Sequence, residues 1–361
     1  MRGVTPLLKR FVYPSLARAG FFRRSRRSGL AVLTYHGILP RGYQPIDAAF
    51  DGNLIDADTF RKQLLLLKKH YTVISPEDFL AWCEERAKLP PRAVLLTCDD
   101  GLLNNLTDML PVLQHEELKC LFFVTGASAG QSRGTLWYED LFLLFFRARS
   151  GPFEISCGNL GISGDLSTTE NRRSIWWSVV KQLSQFDGET RSAFLQNARL
   201  SLGTGHFHGN DSSAEERRFR LLARDELRAL AAAGMTIGAH TLSHPMLSQC
   251  PPELAYAEIV ESRIRLEAAL RTPVWAMAYP FGDRESVTPE VVNMARDAGY
   301  KAAFMNFGGG LGVELPLRAL PRIHVTAQMN LAELEANVAG FYATLQRRAG
   351  RGPNGFQTVC I

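Results

Sequence analysis

Short apolar, β-branched runs recur along the chain at 30–35, 71–75, 93–98, 119–125, 235–239, 274–278 and 301–305, with a last one near 320–325. They are continuously apolar rather than alternating, so they read as strands buried on both faces. Helical patterns fill the gaps. Residues 58–70 carry Phe60, Leu64 and Leu67 at helical spacing. The stretch 76–86 opens with Pro76 in a first turn, 105–117 follows directly on two aspartates, 224–233 stops at Gly234, and 252–271 places Glu before Arg at i,i+4. Alternating helices and buried strands predict an α/β fold, with helices covering a parallel sheet that is either doubly wound or closed into a barrel.

Residues 130–222 break this rhythm. They hold Trp137, Trp176 and Trp177, a Gly/Ser-rich stretch at 156–167 and a polar segment at 203–217, and read as a long, partly helical insertion between two core strands. Ahead of the first strand, residues 1–29 form a basic arm in which arginine and lysine meet no acidic residue. The expected organisation is an arm at 1–29, a catalytic unit at 30–347 with its insertion at about 130–222, and a tail at 348–361.

The net charge of +5 sits largely in that arm, so the remainder gives no case for a nucleic-acid binder. Leu7, Phe11, Val12, Leu16, Phe21 and Phe22 among its basic residues describe an amphipathic helix suited to peripheral contact with an anionic membrane; the alternative is a solvated leader packed on the domain. Lys9, Arg10 and Arg18 interrupt any secretory apolar core, and no apolar run approaches the ~18 residues of a membrane span. The expected location is the cytoplasm, at the inner membrane face if the arm engages it. Six cysteines without CxxC spacing read as free thiols in a reducing compartment.

The chemistry gathers where the strands end. Leu33-Thr-Tyr35 runs into His36-Gly37, Leu95–Cys98 into Asp99-Asp100-Gly101, 235–239 into His240-Thr-Leu-Ser-His244-Pro245, and 274–278 into Tyr279-Pro-Phe-Gly282. Parallel α/β folds build their sites at the C-terminal ends of strands, so the four endings predict one assembled site. Pro245 pushes His244 off helical geometry, leaving both histidines on a loop that can turn toward a single cation. Two histidines, one aspartate and an open position make a catalytic metal shell. Zinc suits it best, with cobalt, nickel or iron as alternatives. A cation also explains the adjacent carboxylates: one can coordinate it, and the other can take a proton from the attacking water. His206 and His208, in a glycine-rich polar segment, read as surface residues.

These motifs resemble those of the polysaccharide deacetylases with the NodB homology domain, carbohydrate esterase family 4. Thr97-Cys-Asp-Asp-Gly101 resembles the family's TFDDG motif with Cys98 in place of Phe, His240–Pro245 matches H-[ST]-x-x-H-P, and Tyr279-Pro-Phe-Gly282 resembles its proline-aromatic-glycine loop. Tyr35-His36 resembles a branch found near exopolysaccharide genes. The resemblance implies a distorted (β/α) barrel of about seven parallel strands. It implies Asp99 as general base, Asp100, His240 and His244 as metal ligands, and the Phe281 N–H as oxyanion donor, with Tyr279, Pro280 and His36 beside the substrate. The family's third motif commonly carries an arginine that holds the base, and Ala278 stands in its place. Arg322 is expected to supply that charge. His324 is the late histidine available as an acid, and only one of Arg322 and His324 is expected to face the site squarely.

The function this implies is metal-dependent hydrolysis of N-acetyl groups from an acetamido sugar, polysaccharide or glycoconjugate, releasing acetate. Two alternatives accompany it: a deformylase or other amide hydrolase acting on a lipid-linked sugar, and a catalytically weak carbohydrate-binding protein.

Overall fold

The computed structural model describes residues 11–24, 29–130, 134–158, 160–204, 213–308 and 316–341. The apolar runs become parallel strands: β1 (Leu30–Tyr35), β2 (Thr72–Ile74), β3 (Ala93–Cys98) and β4 (Leu121–Val124), then, beyond the insertion, β7 (Thr236–Ala239), β8 (Ala276–Ala278), β9 (Ala302–Gly308) and β10 (Leu320–His324). Their order, β1-β10-β9-β8-β7-β4-β3, closes through β1–β3 pairing into a barrel of seven parallel strands. β2 is the extra strand. It shares one edge of β3 with β4, taking Ala93 to Leu95 while β4 takes Thr97 and Cys98.

The barrel is distorted where pairing thins. β7 and β8 meet at the single pair Ala239↔Met277, and the register slips between Leu320 and Arg322. The strand interiors are buried on both faces, as continuous apolar runs require. The resulting core is large, and at ~25 cal/mol per Å² its burial supplies the main stabilisation.

Helices cover the barrel, among them α1 (Ala57–His70), which buries Phe60, Leu64 and Leu67, and α2 (Pro76–Cys83), which opens with a Ser75–Asp78 capping box. The predicted helix at 105–117 differs in its first turns. Residues Asn105–Met109 wind as a π-type turn before α3 (Leu110–His115), because Pro111 provides no N–H for the α-helical ladder.

Between β4 and β7 come α4 (Trp137–Arg147), an antiparallel hairpin of β5 (Pro152–Cys157) and β6 (Leu160–Asp165), α5 (Thr169–Leu183), α6 (Gly188–Leu202) and α7 (Ser213–Phe219). These elements bury a hydrophobic cluster of their own, including Leu141, Phe145, Ile155, Leu183 and Phe194. The chain returns to the barrel through α8 (Arg224–Ala232), and α9 (Pro252–Leu270) and α10 (Pro289–Asp297) follow β7 and β8. Tyr13, Ala17 and Phe22 of the arm pack on Ala336 and Ala339 at the C-terminal helix α11 (Leu331–Val338), and Arg23 pairs with Glu335 at 2.7 Å. Among the described residues no helix is long and apolar enough to cross a membrane.

Candidate active site

All seven barrel strands run the same way, so their C-terminal ends share one rim, and the four polar strand endings meet there. At the end of β3 the chain turns sharply. Asp100 (φ +77°) and Gly101 (φ +73°) are both left-handed. Aspartate tolerates that conformation and glycine is suited to it. A Cβ on Gly101 would lie 2.7 Å from the Val124 side chain, so the close approach to β4 also requires glycine.

The turn sends the two buried carboxylates in different directions. Asp99 faces Arg322, whose Nη1 and Nη2 donate to its Oδ1 and Oδ2 at 2.7 and 2.6 Å. Arg322 also donates through Nε to the Met305 carbonyl and through Nη1 to Thr97 Oγ1. Burial alone would raise the Asp99 pKa, but the Arg322 guanidinium outweighs it and holds the carboxyl below its usual range.

Asp100 faces the histidines. Its Oδ1 lies 3.6 Å from His240 Nε2 and 3.4 Å from His244 Nε2. His240 is anchored on the barrel: its N–H donates to the Val124 carbonyl at 2.8 Å, and its Nδ1 lies 2.8 Å from the Ala278 carbonyl. A proton on Nδ1 leaves the Nε2 lone pair facing Asp100. Burial pushes His240 down to about 4, so it is neutral near pH 7, as a ligand must be. Burial likewise opposes ionisation of Asp100, yet His244, with His36 and His240, holds it well below the usual carboxylate range.

One donor atom from each of Asp100, His240 and His244 lies within 4.8 Å of the others, and all three residues are buried. Two imidazole nitrogens and a carboxylate oxygen, converging with no protein cation among them, fit a divalent metal.

Residues 195–303 match the polysaccharide deacetylase family model. The chain carries a polysaccharide deacetylase domain. It is accordingly a hydrolase of carbon–nitrogen bonds other than peptide bonds. The matched span includes the His240–Pro245 and Tyr279–Gly282 motifs and lies downstream of Asp99 and Asp100. Two solved structures are similar in fold: the deacetylase PplD of Streptococcus pyogenes (17% identity, 86% of this chain and 98% of that one, TM-score 0.54) and IcaB of Ammonifex degensii (17%, 87% and 98%, 0.54). A de-N-acetylase of Aggregatibacter actinomycetemcomitans follows at 14% identity over 85% of this chain and 99% of that one, with a TM-score of 0.50. No curated protein matches the chain in a sequence search.

Both Arg322 and His324, beyond the matched span, reach the site, against the expectation that only one would. Residues two apart on a strand share a face. Arg322 takes Asp99, and the His324 ring lies 4.9 Å from that of His36 across the β1–β10 pair, both lining the cleft. Burial, with the His36 imidazole beside it, lowers His324 to about 3. Phe281 lines the cleft in a left-handed conformation (φ +59°). Tyr279 lies outside it, buried in the barrel core with its hydroxyl donating to the Arg318 carbonyl at 2.7 Å. Pro280 is buried and does not line the cleft. His206 and His208 fall outside the described residues.

The cleft, about 520 Å³, contains surfaces that the motifs do not announce. The insertion supplies Tyr138, Trp176 and Trp177 as an aromatic wall, and Phe50 arrives from the loop after β1. That loop is tied to the insertion by buried Arg218, which pairs with Asp51 at 2.8 Å and Glu139 at 2.7 Å. Asn306 of β9 also lines the cleft, with a buried Oδ1 that has no hydrogen-bond partner among the described residues. The clustering of tryptophans in the insertion is a readable sign of this wall; Asn306 has no sequence signal.

Proposed function

We propose that the chain is a divalent-metal-dependent N-deacetylase of acetamido saccharides, releasing acetate and leaving a free amine. The observation that carries this reading is the division of labour in the aspartate pair, one carboxylate on a guanidinium and the other on two histidines. A divalent cation held by Asp100, His240 and His244, zinc being best suited, supplies Lewis-acid polarisation of the amide carbonyl and lowers the pKa of the attacking water. Asp99, kept ionised by Arg322, accepts the proton that water loses as it attacks. The Phe281 N–H donates to the oxygen that becomes negative. His324 starts neutral, so it assists the departing amine only by relaying a proton it receives during the reaction; otherwise Asp99 returns its own. The aromatic wall and Phe50 offer apolar faces on which sugar rings stack, which favours catalysis on a saccharide.

The catalytic unit of this reading is 30–347 with its insertion, and the arm is a candidate for peripheral membrane contact. The test is release of acetate from N-acetylglucosamine oligomers by zinc- or cobalt-loaded protein, with formate measured in parallel on N-formylated sugars. Stoichiometric acetate and free amine are expected. Formate release alone would turn the reading to a deformylase. Metal-loaded protein inert on every acylated saccharide would overturn it.

A further inference from the structure

The two histidines are held by different parts of the molecule. His240 rests on barrel backbone at Val124 and Ala278. His244 lies four residues farther along a loop in which Thr241 (φ +60°) and His244 (φ +62°) are both left-handed without being glycine. Such residues are strained and persist only where their surroundings fix them. Within the loop itself only the His244 N–H to Thr241 Oγ1 bond, 3.0 Å, opposes that strain.

The barrel ties the first half of the loop by backbone bonds at Thr241 and Leu242, and the Phe281 ring lies 5.0 Å from that of His244; the insertion holds the second half. Trp137 Nε1 donates to the carbonyl of His244 at 3.2 Å, and the Tyr138 ring lies 4.7 Å from the His244 ring. Arg191 of α6 is only 2% exposed and donates through Nη2 to Ser243 Oγ, immediately before the ligand. The same guanidinium pairs with Glu258 of α9 at 3.3 Å and stacks 5.2 Å from the Trp137 ring. Glu258 completes the clamp by accepting the Ser243 N–H at 2.8 Å. On the far side, Ser184 Oγ accepts the Met246 N–H at 3.0 Å.

We propose that Arg191 and Trp137 are positioning residues for His244, so that the insertion, besides walling the cleft, builds half of the metal site. The inference rests on the metal reading given above. The backbone at and after His244 is held by insertion side chains, Trp137 and Ser184, and the backbone before it by Glu258 of α9, which is itself paired with Arg191 of the insertion. A buried arginine bound to Ser243, Glu258 and an indole face is poorly replaced by any apolar group, because its loss leaves the Glu258 carboxylate beneath the loop without its cation. Partners that orient a metal ligand typically change metal affinity by about 10–100-fold when removed.

The experiment is cobalt(II) binding to the full chain, followed by calorimetry and by the visible d–d bands, which report ligand geometry independently of turnover. Arg191→Met and Trp137→Phe are compared with Arg199→Met, which breaks the insertion's ion pair with Asp140 without touching the loop. Arg191→Met is expected to weaken cobalt binding at least tenfold and Trp137→Phe severalfold, both with altered bands. Arg199→Met should lower thermal stability with affinity and spectrum unchanged. If Arg191→Met fails to fold, Trp137→Phe, which removes only one N–H and some ring area, carries the decision. Wild-type affinity and spectrum in folded Arg191→Met and Trp137→Phe would overturn the proposal and leave the metal reading standing. Failure of the wild-type chain to bind cobalt would overturn both.

Discussion

One guanidinium holds both oxygens of the Asp99 carboxylate: Arg322 Nη1 lies 2.7 Å from Oδ1 and Nη2 lies 2.6 Å from Oδ2. Both side chains are essentially inaccessible to solvent, so this is a fully desolvated pair. Removing one partner strands the other charge, at about 3–5 kcal/mol. Arg322→Met is therefore expected to lower the chemical-denaturation midpoint strongly at pH 7. Arg322→Lys keeps a charge but loses the fork, so it should fold. Its acid limb of kcat/KM should move to higher pH, because the pairing that holds Asp99 below its usual range is weakened. An unmoved limb would mean that Asp99 is not the titrating base.

The aspartate pair predicts opposite phenotypes for two neighbouring, chemically identical changes. Asp99→Asn should retain about one divalent ion per chain and lose about 10²–10⁴-fold in acetate release, the usual contribution of a general base. Asp100→Asn should lose the ion itself, as should His240→Ala. Chelation should abolish turnover, and restoring the metal should raise the unfolding midpoint of the wild type, because a ligand that binds only the folded state stabilises it. Metal content by elemental analysis beside turnover separates the two roles.

The barrel strands were legible because buried parallel strands are continuous apolar runs. The aspartates and histidines were legible because they stand together at strand ends. Arg322 was a weaker inference, since its partner lies 223 positions away and only register across the barrel brings them together. Arg322 and His324 both face the site because the two-residue period of a strand places them on one face. The β5–β6 hairpin escaped notice because its Gly- and Ser-rich strands pack one apolar face on the insertion, with Ile155 and Ile162 paired across it. The α10 helix escaped despite its Thr288 cap and first-turn Pro289. Trp137, Tyr138 and Arg191 act on the site through tertiary contact, which carries no local pattern.

Two buried imidazoles work against the acid stability of the metal-free protein. Burial lowers His240 to about 4 and His324 to about 3. An unfolded histidine takes its proton near 6.5. Below that pH the unfolded chain therefore binds protons that the folded chain refuses, and stability falls as pH drops from about 6.5 toward the folded values. Between pH 6.5 and 5 each site contributes up to ~2 kcal/mol of loss. His324→Gln should flatten this part of the profile, measured by urea denaturation of metal-free protein at closely spaced pH. Glu139, pushed up to about 7 by burial, acts in the opposite direction over the same window, but it is present in both proteins and cancels when the variant is compared with the wild type; Asp99, with its lowered pKa, loses its contribution only below about 4. An identical slope in the variant would show that His324 is free to protonate in the folded state.

Gly282 predicts a loss of turnover without loss of metal. It follows Phe281 in the left-handed region (φ +63°), and a Cβ there would lie 2.5 Å from the backbone nitrogen of Asn306 and 2.7 Å from its Cβ. Asn306 N in turn donates to the Gly282 carbonyl at 2.8 Å, so the loop and β9 are laced together where the overlap would occur. Gly282→Ala therefore has to push the Phe281 loop away from the strand, adding left-handed strain of about 1–3 kcal/mol to the overlap. Asp100, His240 and His244 lie on other strand ends, and although the Phe281 ring lies 5.0 Å from that of His244, metal affinity should fall far less than turnover. The Phe281 N–H should be displaced from the developing negative charge, and losing one such donor costs about 10²–10³ in kcat. Wild-type kcat in a folded, metal-loaded Gly282→Ala protein would remove Phe281 from the reaction and leave the aspartate pair and the metal ligands to account for it.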